Sequence, residues 1–279
     1  MANPASERLV FFLGGYDLEM VTIRDLIAAV APERLFDKQL TWGAQASAYR
    51  DEIEAAIARG DRPVLVELPD DLALGSKSVI VADHHGPRAG AQRPTSLHQV
   101  FDLLCLPPER WTRWLDLVAA NDRGHIPELR LMGATTDEIA RIRAADRAAQ
   151  GVTNEEELAA ASAIENAERL AGGSLTVVRS PHAHASAVAD PLALAPNPPA
   201  NLLVISPGEV NFFGVGNLVE ALDRRFPGGW YGGALPERGF WGAQRPGDEV
   251  REALEEILIA EAALDQHALS RGAHATGRA

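Results

Sequence analysis

The feature that most constrains this chain is an alternation that runs through its first half. Short apolar runs closed by acids or glycines take turns with stretches of helical periodicity. The runs are "RLVFFLGG" (8–15), "RLFDKQL" (34–40), "RPVLVELPDD" (62–71) and "KSVIVADHHG" (77–86). Continuous runs of this length, without polar alternation, suit strands buried on both faces. Helical spacing follows over 19–30, over 47–60 with Gly60 as a stop, over 94–106 after a Thr/Ser start, and over 109–124 with Gly124 as its end. Strand and helix in this order build a doubly wound, mainly parallel α/β sheet.

The second half reads differently. Helices are expected over 135–151 and 153–173, then strands over 174–180, 201–208 and 210–216, separated by the Pro-rich loop 191–201. A helix over 217–226, a glycine-rich stretch with aromatics over 227–247 and a last helix over 248–264 complete the pattern. With 279 residues, two domains are expected. We place the first at 1–150, a helical linker at 151–173, a second, smaller α/β domain at 174–265 and a disordered tail at 266–279.

Charge narrows the partners. The net charge is −13, and only two lysines, Lys38 and Lys77, accompany the arginines. Such a surface repels a long nucleic-acid backbone, so the expected partner is a small phosphorylated or otherwise anionic molecule in a local pocket. No run is long and apolar enough for a membrane span. The apolar run near the N-terminus is too short for a secretory signal, so the cytoplasm is the expected location. The single cysteine, Cys105 in "VFDLLCL", reads as a small buried thiol without a disulfide partner. A homodimer is left open.

Candidate chemistry gathers where predicted elements end. "GGYDLE" supplies Asp17 and Glu19, "LVELPDD" supplies Glu67, Asp70 and Asp71, "DHHG" supplies Asp83, His84 and His85, and "AANDRGH" supplies Asp122 and His125. Segments leaving the carboxyl ends of strands in a doubly wound sheet line one crevice, so the first three clusters should converge. Carboxylates with imidazoles suit Mn2+, Mg2+ or Zn2+. A carboxylate inside "VLVEL" is costly unless paired or liganded, which favours Glu67. Asp17 and Glu19 read equally well as helix-start acids, Asp70 and Asp71 as turn residues, and Asp122 as a helix-end residue. His182 and His184 in "SPHAHASA" read as loop residues. Lys38 and Trp42 approach the crevice from the second strand end.

The sequence resembles the DHH-family phosphoesterases. "VADHHG" at a strand end, the helix "RPTSLHQVFDLL" after it, the acidic strand ends before it and an Asp before a helical linker carry the resemblance. "GGWYGGALPERGFWG" resembles the glycine motif of the family's small accessory domain (DHHA1-like). The resemblance implies metal ligands at Asp17, Glu19, Glu67, His84 and Asp122, with Asp116 a weaker substitute for Asp122 and Asp70 for Glu67. It places Asp83 and His85 beside them in catalysis, and Arg238, Gly232, Gly233 and Trp241 at the substrate.

The sequence also departs from the family pattern. Gly14 or Gly15 stands where the first motif carries histidine. Glu19 and Glu67 are each one methylene longer than aspartate, and Trp230 and Tyr231 follow Gly228 and Gly229 where a histidine is expected. The resemblance implies a metal-dependent phosphodiesterase or phosphohydrolase using one or two Mn2+ or Mg2+ ions. Its substrate would be a short oligonucleotide, a cyclic dinucleotide or another small phosphoester. The alternatives are a catalytically degenerate nucleotide-binding module and a metal-dependent hydrolase of a non-nucleotide anion.

Overall fold

The computed structural model describes residues 8–275, with side chains through Ala263. Two compact units emerge. The first holds the described residues up to Val152 together with Gly232–Leu235, and the second holds Thr153–Tyr231 and the described residues from Pro236 on.

The first unit contains β1 (Leu9–Leu13), α1 (Leu18–Val30), β2 (Leu35–Phe36), α2 (Arg50–Ala58), β3 (Arg62–Val66), β4 (Ile80–Ala82), α3 (Ser96–Leu103), α4 (Arg113–Leu131) and α5 (Thr136–Gln150). Its sheet runs β2-β1-β3-β4, and each neighbouring pair is parallel. The strands are shorter than their apolar runs because pairing stops where the chain turns toward the acids. Val10, Phe12 and Leu65 pack with Tyr49, Ile53 and Ala56 around α2. The alternating Phe11, Leu13, Val64 and Val66 are equally buried on the opposite face. Phe12 stacks on Phe36 at 4.9 Å and meets the edge of Tyr49 at 5.5 Å. The Tyr49 hydroxyl donates to Leu13 O at 2.8 Å and pins the end of β1.

The second unit contains α6 (Asn154–Glu165), β5 (Glu168–Leu170), β6 (Leu175–Arg179), α7 (Ser186–Leu194), β7 (Asn201–Ser206), β8 (Glu209–Val215), α8 (Gly216–Arg225), β9 (Trp230–Gly232), β10 (Arg238–Ala243) and α9 (Gly247–Ala275). Its sheet order is β5-β6-β7-β8-β10-β9. β6 and β7, joined through α7, pair in parallel, whereas β5/β6, β7/β8 and β8/β10 are antiparallel.

Several expectations shift. The helix expected over 153–173 stops at Glu165, because residues 168–170 leave it to pair with β6. The glycine-rich 227–247 stretch holds two strands, β9 and β10. The last helix continues to Ala275 across most of the expected tail, and residues 276–279 lie outside the described residues. Cys105 is exposed, at φ 51° just past the end of α3, where the chain turns outward. Among the described residues, no helix is long and apolar enough to cross a membrane.

Candidate metal centre

The strand order places the ends of β1, β3 and β4 side by side. Gly14 N donates to Val66 O at 2.9 Å and Glu67 N donates to Ala82 O at 2.9 Å, so the ladder continues to the last residue before each acidic step. Gly14 is required there: a Cβ would lie 2.4 Å from Glu67 O. Glu67 itself has φ 53°. A non-glycine residue in the left-handed region gives up roughly 1–2 kcal/mol, and this turn swings the Glu67 carboxylate off the strand. α4 breaks at Gly124, two residues after Asp122, and at His125, which has φ 56° and ψ −149°. A Cβ on Gly124 would meet Glu128 Cβ at 2.6 Å, so the break also needs its glycine.

These backbones bring Glu67, His84, His85 and Asp122 together, each offering a ligand atom within 4.8 Å of the others. His84 Nε2 lies 2.5 Å from Asp122 Oδ2 and 3.6 Å from both Glu67 Oε1 and Glu19 Oε2. Despite this closeness, His84 Nε2, Asp122 Oδ2, both Glu67 oxygens and Glu19 Oε2 are buried without a hydrogen bond. Buried polar atoms are ordinarily paired, and leaving one unmade costs on the order of 1–3 kcal/mol. Five such atoms facing one small volume, from carboxylates and imidazole, make a donor set that fits a hard or intermediate divalent cation.

The surroundings orient this set. Asp83 Oδ1 accepts from His85 N at 2.9 Å and lies 3.1 Å from His85 Nδ1. A carboxylate on one ring nitrogen fixes imidazole orientation, as around many metal ligands. Arg88 Nη1 reaches Asp83 Oδ2 at 3.4 Å. The Trp42 indole stands edge-on to the His85 ring, centroids 5.2 Å apart. Asp17 caps α1, its Oδ1 accepting from Met20 N at 2.8 Å. Glu19 Oε1 accepts from Leu97 N at 3.0 Å, tying α1 to the start of α3.

Without a cation the centre is an electrostatic conflict. Burial pushes His84 down, but Asp122, Glu19 and Glu67 around it hold it well above the usual imidazole range. Burial and the charge of Glu19 push Asp122 up to about 7 against the pull of His84. Glu19 is held at about 2, since His84 outweighs the upward push of its burial. Burial, then Asp122 and Glu67, raise Asp17. His85 is raised, because Glu67 overcomes the effect of burial.

The other sequence candidates lie elsewhere. Asp70 accepts from Leu74 N and Gly75 N, and Asp71 from Ser47 N, which makes both loop braces. Asp116 accepts from Trp111 Nε1 at 2.6 Å. Lys38 is tied to Ala48 O and Glu52 at the start of α2. Gly232 and Gly233 are buried in the segment that groups with the first unit, where Leu235 O accepts from Ala91 N at 3.1 Å. In the second unit, Arg238 Nη2 donates to Ala200 O at 2.9 Å and His184 Nδ1 lies 2.8 Å from Glu156 Oε1. Trp241 must be corrected: it is fully buried and packs beside Phe226, so its indole has no face to offer a substrate.

Sequence reasoning missed a buried network behind the centre. Arg143 Nη1 donates to Asn121 Oδ1 at 2.7 Å and to Asp146 Oδ2 at 2.8 Å, and Asp146 Oδ1 accepts from Leu18 N at 3.2 Å. This holds α5, the Asn121–Asp122 turn in the middle of α4 and the start of α1 together. The signal was present: Arg143 and Asp146 share the helical spacing of the buried Ile139 and Ile142.

No family model and no curated protein matches this sequence. Solved structures do. An exopolyphosphatase-related protein from Bacteroides fragilis superposes over 90% of this chain and 92% of its own, at 12% identity and a TM-score of 0.52. RecJ from Thermus thermophilus, solved with Mn2+, matches over 91% of this chain at 14% identity and a TM-score of 0.47. This chain spans about half of that RecJ, 51% of its length. A pGpG-specific phosphodiesterase, PggH from Vibrio cholerae, matches over 90% of this chain and 99% of its own, at 14% identity and a TM-score of 0.38. At these identities the likeness is one of fold. With its parallel sheet, the Asp83-His84-His85 step at a strand end and a second sheet unit, the chain has the fold of the DHH-type phosphoesterases.

Proposed function

We propose that this protein is a metal-dependent phosphoester hydrolase acting on a small phosphorylated molecule, such as a short oligonucleotide or a cyclic dinucleotide. One observation carries the reading: buried, unbonded donors from Glu67, His84 and Asp122 converge with His85 on one point. These residues, with Glu19 beside them, would hold Mn2+ or Mg2+. Such an ion, when bound, lowers the pKa of water and offsets charge on phosphoryl oxygens.

The chain's own residues prepare the place. The Glu67 turn presents its carboxylate away from the strand, Asp83 sets the His85 ring, and Glu19 couples α1 to α3. The acidic surface, with net charge −13, supports a small substrate over a long polymer.

The test is hydrolysis of bis(p-nitrophenyl) phosphate, a linear and a cyclic dinucleotide and inorganic polyphosphate, with metal-depleted protein and added Mn2+ or Mg2+. Turnover that depends on the ion and is lost in His84→Ala and Asp122→Asn is expected. Ion-independent turnover, or full activity in His84→Ala, would sink the proposal. A second reading, a nucleotide-binding module without turnover, draws on the bare strand end at Gly14 and Gly15. It predicts dinucleotide binding with no product.

A further inference from the structure

We infer that the centre is built for one divalent ion, with Asp17 acting as a helix cap and Trp42 as a wall. This rests on the metal-dependent reading above and concerns the number of ions and the identity of their ligands.

The argument is an inventory of donors. At the centre, the buried atoms without a hydrogen bond include Glu67 Oε1 and Oε2, His84 Nε2, Asp122 Oδ2 and Glu19 Oε2, with His84 Nε2 and Asp122 Oδ2 2.5 Å apart. His85 joins three of these residues in the 4.8 Å cluster. With Glu67 bound through one oxygen, Glu19, His84, His85 and Asp122 bring the donors to five, which leaves one position of a six-coordinate ion for water or substrate.

A second ion, about 3.5–4 Å away in known two-metal sites, would need further donors of its own. Of the neighbouring carboxylates, Asp83 has both oxygens engaged, and Asp17 and Glu19 have one each. Asp17 Oδ1 accepts from Met20 N, Asp83 Oδ1 serves His85, Asp83 Oδ2 faces Arg88, and Glu19 Oε1 accepts from Leu97 N.

The end of β1 adds nothing. Residue 14 has no room for a side chain, with Glu67 O 2.4 Å from a Cβ built there. At residue 15 the space is filled by Trp42, whose Cδ2 lies 3.2 Å from the Cβ position. The same indole touches His85 edge-on. The carbon face of an indole therefore occupies the space that a side chain at residue 15 would need.

The decisive measurement is metal stoichiometry on the metal-depleted protein. Mn2+ is titrated by calorimetry, checked by elemental analysis after dialysis, and read by electron paramagnetic resonance. One equivalent with a mononuclear six-line signal is expected. Two equivalents with an exchange-coupled signal would overturn the inference while leaving the metal-dependent reading intact. No bound ion would overturn both.

Asp17→Asn keeps a good helix cap, so the fold is retained. Its single equivalent and its Mn2+ affinity are expected within about threefold of the parent, whereas loss of that equivalent would show Asp17 to be a ligand and refute the assignment. Asp122→Asn is expected to lose the equivalent, and retention would refute the donor set.

Discussion

Gly14→Ala is the sharpest test of how the fold builds this centre. A Cβ at residue 14 would sit 2.4 Å from Glu67 O, 2.9 Å from Glu67 C and 2.9 Å from Val66 O. Carbon–oxygen contacts of this kind ordinarily stand at about 3.3 Å or more, so one strand end must retreat by nearly 1 Å. The obstacle is backbone on both sides, held by the five-pair β1–β3 register from Leu9↔Arg62 to Leu13↔Val66, so no rotamer change relieves it. Overpacking of this sort costs about 1–3 kcal/mol. Straining the Gly14 N to Val66 O bond adds about 1 kcal/mol. The sum, about 2–4 kcal/mol, corresponds to a loss of roughly 5–15 °C in Tm for a unit of this size. Glu67 lies at the clash, so divalent-ion affinity should fall in the same variant.

Gly15→Ala is the control. The nearest atoms to its Cβ belong to the Trp42 side chain, at 3.2 Å, and an indole can shift. It should lose less than about 1 kcal/mol. Urea unfolding of both variants, metal-free and with Mn2+, reads the comparison. The reasoning fails if Gly14→Ala unfolds with the parent, or if Gly15→Ala is the more damaging change.

Three further outcomes follow from the buried groups. Glu19 is fully buried and its carboxyl is held at about 2, below the ordinary 4.5. A depressed acid adds stability above its unfolded pKa, and that stability is lost as pH falls through the folded value. Glu19→Gln should therefore cost about 2–3 kcal/mol in metal-free protein at pH 7 and converge with the parent near pH 2, read by urea unfolding across that range; a pH-independent difference would contradict this. Arg143→Met strands Asp146 in the interior and should destabilise by about 3–5 kcal/mol, with weaker Mn2+ binding because Asp146 also holds Leu18 N, whereas an unchanged Tm would discount the network. Trp241→Ala empties the core of the second unit and should lose about 3–5 kcal/mol in denaturant; a KM change at unaltered stability would return the indole to the substrate.

The legible part of the site was the part written locally. Glu67 stood out because an acid in "VLVEL" has to be answered by a partner, and His84 because two imidazoles close an apolar strand. The parallel order then required their ends to meet. What could not be read was how each side chain is aimed. Asp17 fitted a cap and a ligand equally from sequence, and its bond to Met20 N shows the cap. Trp241 sat among glycines beside other aromatics, a pattern shared by cores and binding faces. Only its burial beside Phe226 separates the two. Cys105 followed an apolar run, yet a positive φ turns it outward.

The sequence by itself determined the alternation, the parallel first sheet and the acids and imidazoles that close its strands, because burial and periodicity act over a few residues. The tertiary structure alone decided which of those groups face one point. Leu18 meets Asp146 across 128 positions, Leu97 meets Glu19 across 78, and Trp42 covers Gly15. Contacts of that span depend on how whole elements pack, and no local pattern encodes them. The bare strand end at Gly14 and Gly15 looked in sequence like a missing ligand. In the fold it is the close approach of two backbones and the seat of an indole.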